Sequence, residues 1–262
     1  MVAKLVVVGG GRMGTALVGG LLRSGWAQPS ELVVAEADDD RRRGLATELP
    51  GVGIEPGPVS AEGAVVAVKP GDAREACEAL ASVASCRTLS IMAGVSISRI
   101  ESWLGTGVPV VRAMPNTPAV VGAGASAIAG GTAASENDMA WAESVLGAVG
   151  VVVRVAEGLL DGVTGLSGSG PAYVFMVAEA LVEAGVLVGL PRTVSRALAL
   201  QTILGSARLL SESGEEPEVL RAQVTSPGGT TAAGLRALEA RAVRSAFIEA
   251  VAAAAERSRQ LG

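Results

Sequence analysis

Residues 4–14, KLVVVGGGRMG, form a short apolar run that leads directly into a glycine-rich loop. The run predicts a buried strand, and Gly9, Gly11 and Gly14 fit the pattern G-x-G-x-x-G before an amphipathic helix. In this setting the glycines allow a tight turn, close approach of a ligand and helix–strand packing, and the helix N-terminus offers N–H groups to a pyrophosphate. We therefore expect a dinucleotide site rather than a structural loop, with contacts from Gly9, Gly11, Arg12, Met13 and Gly14.

A second predicted strand, residues 32–35, ends at Glu36. A carboxylate at this position would accept hydrogen bonds from the adenosine ribose hydroxyls and favour NAD over NADP. Three arginines, residues 41–43, follow in the next predicted helix. They either neutralise a ribose phosphate or form a solvated basic face, so these residues leave the cofactor form open.

Strand-like and helix-like segments alternate through the first part of the chain, which predicts βαβ units and an α/β fold with a Rossmann-type doubly wound sheet. After about Glu157 only helical patterns follow. We predict a dinucleotide-binding domain over residues 1–156 and a helical domain over residues 157–262. The predicted strands are 5–8, 32–35, 64–68, 88–91, 108–113, 125–129 and 151–153, and the helices between them are 15–24, 40–48, 72–83, 97–103 and 136–146.

The composition argues against several classes of protein. A net charge of -5 with scattered basic residues does not suggest a nucleic-acid partner. Cys77 and Cys86 lack metal-ligand spacing and the chain has no histidine, so we expect free thiols and no metal. The chain starts with a strand rather than a leader, which predicts a cytoplasmic protein. Residues 174–190 are apolar, but Glu179 and Glu183 interrupt them, so we expect a buried helix rather than a membrane span. These two glutamates lack a third carboxylate nearby for a divalent ion.

The C-terminal helices are apolar on more than one face, as residues 173–190 and 246–255 show. About a hundred residues cannot cover such helices on every side. We therefore expect a homodimer with interleaved helices, which would place the turn at residues 225–231 beside a nucleotide domain. A compact monomeric bundle is the alternative.

That turn, TSPGGTT at residues 225–231, precedes a predicted helix over residues 232–239. Free N–H groups at a helix start can bind a small carboxylate, and Gly228 and Gly229 let it come close to the backbone. Thr230 and Thr231 offer hydroxyls, one of which could cap the helix while the other meets the substrate. A capped helix after a tight turn is the alternative interpretation.

These motifs resemble those of the pyrroline-5-carboxylate reductases over nearly the whole chain. The segment VTSPGGTTAAGLRALE looks like the signature of that family. The resemblance implies a Rossmann domain, a helical dimerisation domain, and dimers that often assemble into decamers. It also implies hydride transfer from NAD(P)H to the C=N of 1-pyrroline-5-carboxylate, giving L-proline. The matching segments are 224–239 (the signature), 67–70 (AVKP), 112–118 (RAMPNTP), 167–173 (SGSGPAY) and 183–192 (EAGVLVGLPR).

The resemblance also implies roles for individual residues. Backbone N–H groups around Gly229 and Thr230, with Ser226 and Gly228, would hold the substrate carboxylate, and the Thr231 hydroxyl would act on the ring nitrogen. The residues expected to line the cofactor are Ala67, Val68, Lys69, Pro70 and Asn116. Without the resemblance, Lys69 would equally be a surface lysine at a strand end, and Asn116 part of a rigid turn between two prolines.

The proposed reduction needs orientation more than a strong acid, because a cyclic imine can arrive protonated from water. The chain has no histidine, which excludes imidazole catalysis, and its only lysines are Lys4 and Lys69. A β-hydroxyacid dehydrogenase, which normally uses a lysine after the domain junction, is therefore disfavoured. A catalytically silent nucleotide sensor is a second alternative, against which Thr231 and the glycine loop argue.

Two residues depart from the family pattern. Arg12 stands where many members have asparagine, and Glu36 stands where members that bind NADPH often have a small polar residue. Both bear on the phosphate end of the cofactor. The resemblance predicts NADPH, and Glu36 suggests that NADH also serves well.

Overall fold

A computed structural model describes residues 2–83 and 87–261, in which eight strands form one sheet. The strands are β1 Leu5–Val8, β2 Leu32–Ala35, β3 Gly53–Glu55, β4 Ala64–Val66, β5 Thr88–Ser90, β6 Val110–Met114, β7 Gly124–Gly130 and β8 Gly150–Arg154. Their order is β3-β2-β1-β4-β5-β6-β7-β8. The sheet therefore extends from β1 in both directions, which confirms the predicted doubly wound α/β fold.

The strand pairing differs from the sequence prediction in two places. β7 runs antiparallel to β6, while the other neighbours are parallel. The connection between them holds only a short 3-10 helix, Thr117–Val121, and a parallel crossover needs a dozen or more residues. The three-residue edge strand β3 was not predicted, because Gly53-Ile54-Glu55 is too short to show alternation.

Helices α1 Arg12–Arg23, α2 Asp39–Glu48, α3 Ala73–Ala81, α4 Ile97–Leu104 and α5 Glu136–Gly147 accompany the sheet. Helix α1 begins at Arg12, three residues before the predicted start, so it follows the glycine loop directly. The core lies on both faces of the sheet. In β1, Leu5 and Val7 pack into one apolar cluster while Val6 and Val8 pack into the other. Burial on both faces explains the continuous apolar run of this strand.

The rest of the chain is helical, with a π-helical turn at Thr164–Gly168. The helices are α6 Leu160–Val163, α7 Gly170–Leu187, α8 Arg192–Glu212, α9 Pro217–Gln223, α10 Thr230–Glu239 and α11 Val243–Leu261. The chain divides into two compact units, residues 2–169 with 252–261, and Gly170–Val251. The functional boundary near residue 156, placed where the strands end, stays a prediction.

Helices α7 and α8 pack closely in the second unit. Ser195 is buried and its hydroxyl donates to the Val182 carbonyl oxygen at 2.7 Å. A Cβ at Gly185 would overlap the Ser195 side chain. The glycine therefore permits the close approach of the two helices.

The apolar surface of α7 is mostly exposed in the single chain. Among its described residues only Val182 is buried, whereas Phe175 and Met176 are each 61% exposed and Leu187 is 87% exposed. The prediction of a buried helix over residues 174–190 is wrong for one chain, because a helix apolar on several sides cannot be covered by one neighbouring helix. The helical stretch Glu157–Leu187 is long and apolar enough to cross a membrane by length and composition, and 6% of its most apolar window is buried.

Candidate active site

The glycine-rich loop has the geometry that its spacing predicts. Gly9 has φ +105°, a left-handed conformation that favours glycine, and an added Cβ would lie 2.8 Å from the Ala67 carbonyl oxygen. A Cβ on Gly14 would overlap the Gly9 carbonyl oxygen, so this glycine lets α1 pack against the loop. Beside Gly11, no described atom lies within 4 Å of an added Cβ. The loop is thus tightly packed at Gly9 and Gly14 and open at Gly11.

The N-terminus of α1 is left available for an anion. Its N-cap is Gly11, and within the described residues no side chain caps it, nor does its first turn contain an acidic residue. By contrast, α2, α4 and α5 are capped by the side chains of Asp38, Ser96 and Ser135. Free N–H groups with partial positive charge therefore face the open side of the loop.

A cleft of about 600 Å³ lies at the carboxyl ends of β1, β2 and β4, where ligands bind in doubly wound sheets. Six predicted cofactor residues line it: Gly9, Gly11, Glu36, Ala67, Val68 and Lys69. Arg12 lines an adjoining cleft of about 920 Å³, which runs along α1 and shares Gly11 and Arg41 with the first cleft. Met13, Gly14, Pro70 and Asn116 are not part of the described lining of either cleft.

Glu36 is held by two backbone amides. Its Oε2 accepts from Gly10 N at 2.9 Å and its Oε1 accepts from Asp38 N at 3.0 Å. The Gly10 carbonyl oxygen in turn accepts from Arg41 Nε at 2.7 Å and from the Thr15 hydroxyl at 3.1 Å. The backbone N–H and the backbone carbonyl of Gly10 are therefore both fixed by neighbouring side chains, in an arrangement that the sequence alone did not predict.

The three arginines after β2 have partners within the chain. Arg41 also donates to Thr15 Oγ1 at 2.9 Å and pairs with Glu48 at 3.3 Å. Arg42 donates to the carbonyl oxygens of Glu36 at 2.7 Å and Ala37 at 2.6 Å, and it pairs with Asp39. Arg43 pairs with Asp40. The sequence left two interpretations of these arginines, binding a ribose phosphate or forming a solvated basic face. In the structure all three guanidinium groups already have partners within the chain.

Asn116 lies at the end of β6 and is only 9% exposed. Its Nδ2 donates to the Ser167 carbonyl oxygen at 3.0 Å, and its Oδ1 accepts from Ala125 N at 2.8 Å. The amide therefore ties the start of β7 to the segment before α7. One N–H of Asn116 is left for a ligand, so its predicted contact with the cofactor stays a prediction.

The second predicted site is the turn before α10. Gly228 has φ +71°, and Gly229 is the N-cap of α10, which begins at Thr230. The Ser226 hydroxyl lies so close that a Cβ on Gly229 would overlap it. Thr230 is exposed and Thr231 half-buried. The turn therefore brings one hydroxyl and a helix start together.

The expectation that Thr230 or Thr231 caps this helix is wrong. The helix starts two residues earlier than predicted, so the cap position falls on Gly229, which has no side chain, and no described side chain caps α10. The N–H groups of the first turn are left for an anion. This geometry favours the carboxylate site over a capped structural helix.

Sequence reasoning missed part of the cleft. Pro56 and Gly57 follow the unpredicted strand β3, and Ala76 and Ala79 occupy one face of α3, where their small side chains leave room for a ligand. The spacing of these alanines was the one signal in the sequence that could have indicated this wall. Asp72 and Glu75 add carboxylates to the lining.

The metal and thiol predictions concern residues outside the clefts. No group of three or more His, Cys, Asp or Glu residues arranged for a metal ion occurs in the described parts of the chain. Cys77 is fully buried on α3, and burial raises the pKa of its thiol to about 11. Cys86 lies outside the described residues. Cys77 is therefore poorly suited to nucleophilic chemistry.

Two family models match the chain. Residues 157–261 match "Pyrroline-5-carboxylate reductase dimerisation", and residues 4–94 match "NADP oxidoreductase coenzyme F420-dependent". The two matches fall on the helical segment and on the glycine-loop half of the sheet.

Curated relatives match over the full length. The pyrroline-5-carboxylate reductase of Synechocystis sp. is 44% identical and covers 100% of this chain and 99% of the relative. That of Arabidopsis thaliana is 39% identical, covering 98% of this chain and 95% of the relative.

Solved structures of pyrroline-5-carboxylate reductases also match over nearly the full length. A pyrroline-5-carboxylate reductase from Coxiella burnetii is 36% identical with a TM-score of 0.93, covering 100% of this chain and 99% of that one. The Plasmodium falciparum pyrroline carboxylate reductase, solved with NADP bound, is 29% identical with a TM-score of 0.85, covering 99% of this chain and 98% of that one.

Proposed function

The chain belongs to the pyrroline-5-carboxylate reductase family, and on that premise we propose that it reduces 1-pyrroline-5-carboxylate to L-proline with a reduced nicotinamide dinucleotide. This would be the last step of proline biosynthesis. The observation that carries the proposal is the pair of glycine-started helices. Both α1 and α10 have a glycine N-cap, no described side-chain cap and no acid in the first turn. One suits a pyrophosphate and the other a substrate carboxylate.

The cleft beside β1 fits the dinucleotide. Gly11 gives access to the α1 amides, and Glu36 lies at the end of β2 where the adenosine ribose would sit. Ala67 and Val68 provide a flat wall, with Lys69 at the rim. Bound there, the cofactor supplies the hydride. The NADP-bound relative supports a nicotinamide cofactor, and NADPH is the form expected from the family.

The turn before α10 fits the substrate. The first N–H groups of α10, together with the Ser226 hydroxyl and the close backbone approach at Gly228 and Gly229, bind the carboxylate. Thr230 contributes its amide. The Thr231 hydroxyl accepts a hydrogen bond from the protonated ring nitrogen and orients the C=N bond.

The chain does not need a strong general acid for this reaction. The imine brings its own proton from water, and hydride addition at carbon then leaves a neutral secondary amine on the ring. The residues of the site therefore act by anchoring and orienting the substrate. The absence of histidine from the sequence is consistent with this role.

A homodimer joined through the helical segment is part of the same proposal. It is supported by the dimerisation family model and by the exposed apolar side chains of α7. The functional boundary lies near residue 156, supported by the end of β8 at Arg154 and by the family match that starts at residue 157. Assembly into decamers is an expectation carried from the resemblance, and the lack of a nucleic-acid partner is one carried from the net charge of -5. A cytoplasmic location stays an expectation, and Glu179 and Glu183 within the apolar stretch support the absence of a membrane span.

Following the absorbance of NADH or NADPH with 1-pyrroline-5-carboxylate tests this function directly. Replacing Thr231 by alanine should lower kcat by roughly 10- to 100-fold, because a hydrogen bond to a charged group is worth about 1.5–3 kcal/mol. Cofactor affinity should not change. Thr47→Ala, on the exposed face of α2, serves as the matched control. Wild-type turnover in Thr231→Ala would refute the role of the hydroxyl, and no turnover by the wild type with either cofactor would refute the function.

A further inference from the structure

The environment of Glu36 bears on which form of the cofactor this chain uses. Each Glu36 carboxylate oxygen already accepts one backbone N–H, from Gly10 or from Asp38. The carboxylate is therefore held in one orientation at the end of β2, and each of its oxygens keeps a free lone pair. Two adjacent acceptors suit the 2′- and 3′-hydroxyls of an unmodified ribose. They repel a 2′-phosphate.

Binding of a 2′-phosphate needs cationic side chains, and the three arginines that follow β2, residues 41–43, already bind other groups of the chain. Arg41 is directed at the loop and α1, through the Gly10 carbonyl oxygen and the Thr15 hydroxyl. Arg42 donates to the Glu36 and Ala37 carbonyl oxygens, and Arg43 pairs with Asp40. Recruiting Arg41 to a phosphate would break its hydrogen bond to the Gly10 carbonyl oxygen of the loop and its hydrogen bond to the Thr15 hydroxyl on α1.

The charge of the surrounding cleft points in the same direction. Residues 36–43 contain four carboxylates and three guanidinium groups. The described cleft lining contains Glu36, Asp38, Asp72 and Glu75, against Lys69 and Arg41. A cleft with this excess of acidic groups disfavours one more phosphate on the ligand.

We infer that this chain selects NADH over NADPH, with Glu36 as the residue that reads the ribose and Arg41 as a positioning residue that holds the Gly10 peptide of the loop. The inference rests on the proposed reductase function. It departs from the expectation of NADPH that the family resemblance gives. A contact between the Glu36 carboxylate and a 2′-phosphate, two groups of like charge, lowers the affinity for NADPH by more than about tenfold. We therefore expect kcat/KM to favour NADH by about tenfold or more.

The first experiment measures kcat/KM for both cofactors with saturating 1-pyrroline-5-carboxylate, and the Kd of each cofactor by calorimetry without substrate. Glu36→Gln keeps the size of the side chain but removes its charge, so the preference for NADH should fall about tenfold, mainly through better use of NADPH. The control is Glu62→Gln, which removes an exposed carboxylate from the connection before β4, and it should keep the wild-type ratio. A wild type that uses NADPH equally or better, or an unchanged ratio in Glu36→Gln, would overturn the inference.

The second experiment separates positioning from phosphate binding. Arg41→Met should raise KM for both cofactors by the same factor, about tenfold, with kcat within about twofold of wild type, because the loop loses its anchor while the chemistry is untouched. Arg41→Lys should recover part of the loss. Arg74→Met, at an exposed position on α3, is the control. A loss confined to NADPH would instead show that Arg41 binds the phosphate, and would overturn its assigned role.

Failure of the inference is distinguishable from failure of the proposed function. If neither cofactor supported reduction, the reductase function would be wrong, while the calorimetric Kd values would still report which dinucleotide the cleft prefers. If both supported reduction equally, the function would hold and the selectivity would be wrong.

Discussion

Replacing Gly9 and Gly11 separately by alanine should separate folding from cofactor binding within one loop. At Gly9 the new side chain meets two obstacles. The residue has φ +105°, which is strained for any residue with a Cβ, and the Cβ would lie 2.8 Å from the Ala67 carbonyl oxygen, where ordinary contacts start at about 3.4 Å. At Gly11 the backbone has φ -69° and no described atom lies within 4 Å of the added Cβ.

The two effects at Gly9 add. A strained backbone conformation costs about 1–3 kcal/mol, and an overlap of this size against strand backbone costs about 1–3 kcal/mol more. We therefore expect Gly9→Ala to lose about 3 kcal/mol of unfolding free energy, a large share of the 5–15 kcal/mol typical of a folded protein. Gly11→Ala should stay within about 0.5 kcal/mol of wild type. Its methyl group would instead occupy the space where the pyrophosphate approaches, so cofactor affinity should fall about tenfold or more.

Urea unfolding at one fixed protein concentration measures the first quantity, since the stability of an oligomer depends on concentration. Calorimetric titration with NADH measures the second. Gly44→Ala, on the exposed side of α2, is the control, and it should gain about 0.5–1 kcal/mol because alanine favours the helix. Wild-type cofactor affinity in Gly11→Ala would refute the assignment of this loop to the pyrophosphate. Wild-type stability in Gly9→Ala would refute the packing argument.

Two further predictions concern the core of the sheet. Thr88 Oγ1 is the one buried side-chain oxygen or nitrogen without a hydrogen-bond partner among the described residues. Thr88→Val should therefore raise the unfolding free energy in urea by about 1 kcal/mol, and a loss of stability would contradict this. Burial raises the pKa of the Cys77 thiol from 9.0 to about 11. Between these two pH values the unfolded chain loses the thiol proton while the folded chain keeps it, so the free energy of unfolding is unaffected below about pH 9 and falls as the pH rises towards about 11. Unfolding curves at pH 8, 9.5 and 11 should show a smaller fall in the free energy of unfolding for Cys77→Ala than for the wild type. The same dependence of this free energy on pH in both proteins would exclude the burial effect.

The sequence predicted those features whose backbone conformation is determined by residues that are neighbours in the chain, such as β1 and the glycine-rich loop. Val6 and Val8 form part of an apolar run, and Gly9 follows with a spacing that fits one loop geometry, so the strand, turn and helix could be placed together. The turn at Gly228 and Gly229 was equally informative. Both are local features, in which nearby residues determine the backbone.

The remaining features depend on contacts between residues far apart in the sequence. The antiparallel direction of β7 depends on the short connection after β6, and the engagement of Arg41 with Gly10 depends on the approach of α2 to the loop. Asn116 is held by Ser167, 51 positions away. The sequence indicated that one chain cannot cover α7 on every side. Its all-round apolarity did not specify that Val182 is the position that packs against α8, because this depends on contact with Ser195.

The uncovered face of α7 has a consequence for how active enzyme forms. In the proposed homodimer, a newly synthesised chain holds Phe175, Met176 and Leu187 in water until it meets a second copy. That encounter is a bimolecular step, so its rate rises with the amount of protein made, while solitary chains are prone to aggregate. Expression level therefore determines both how quickly the enzyme matures and what fraction of it is lost on the way.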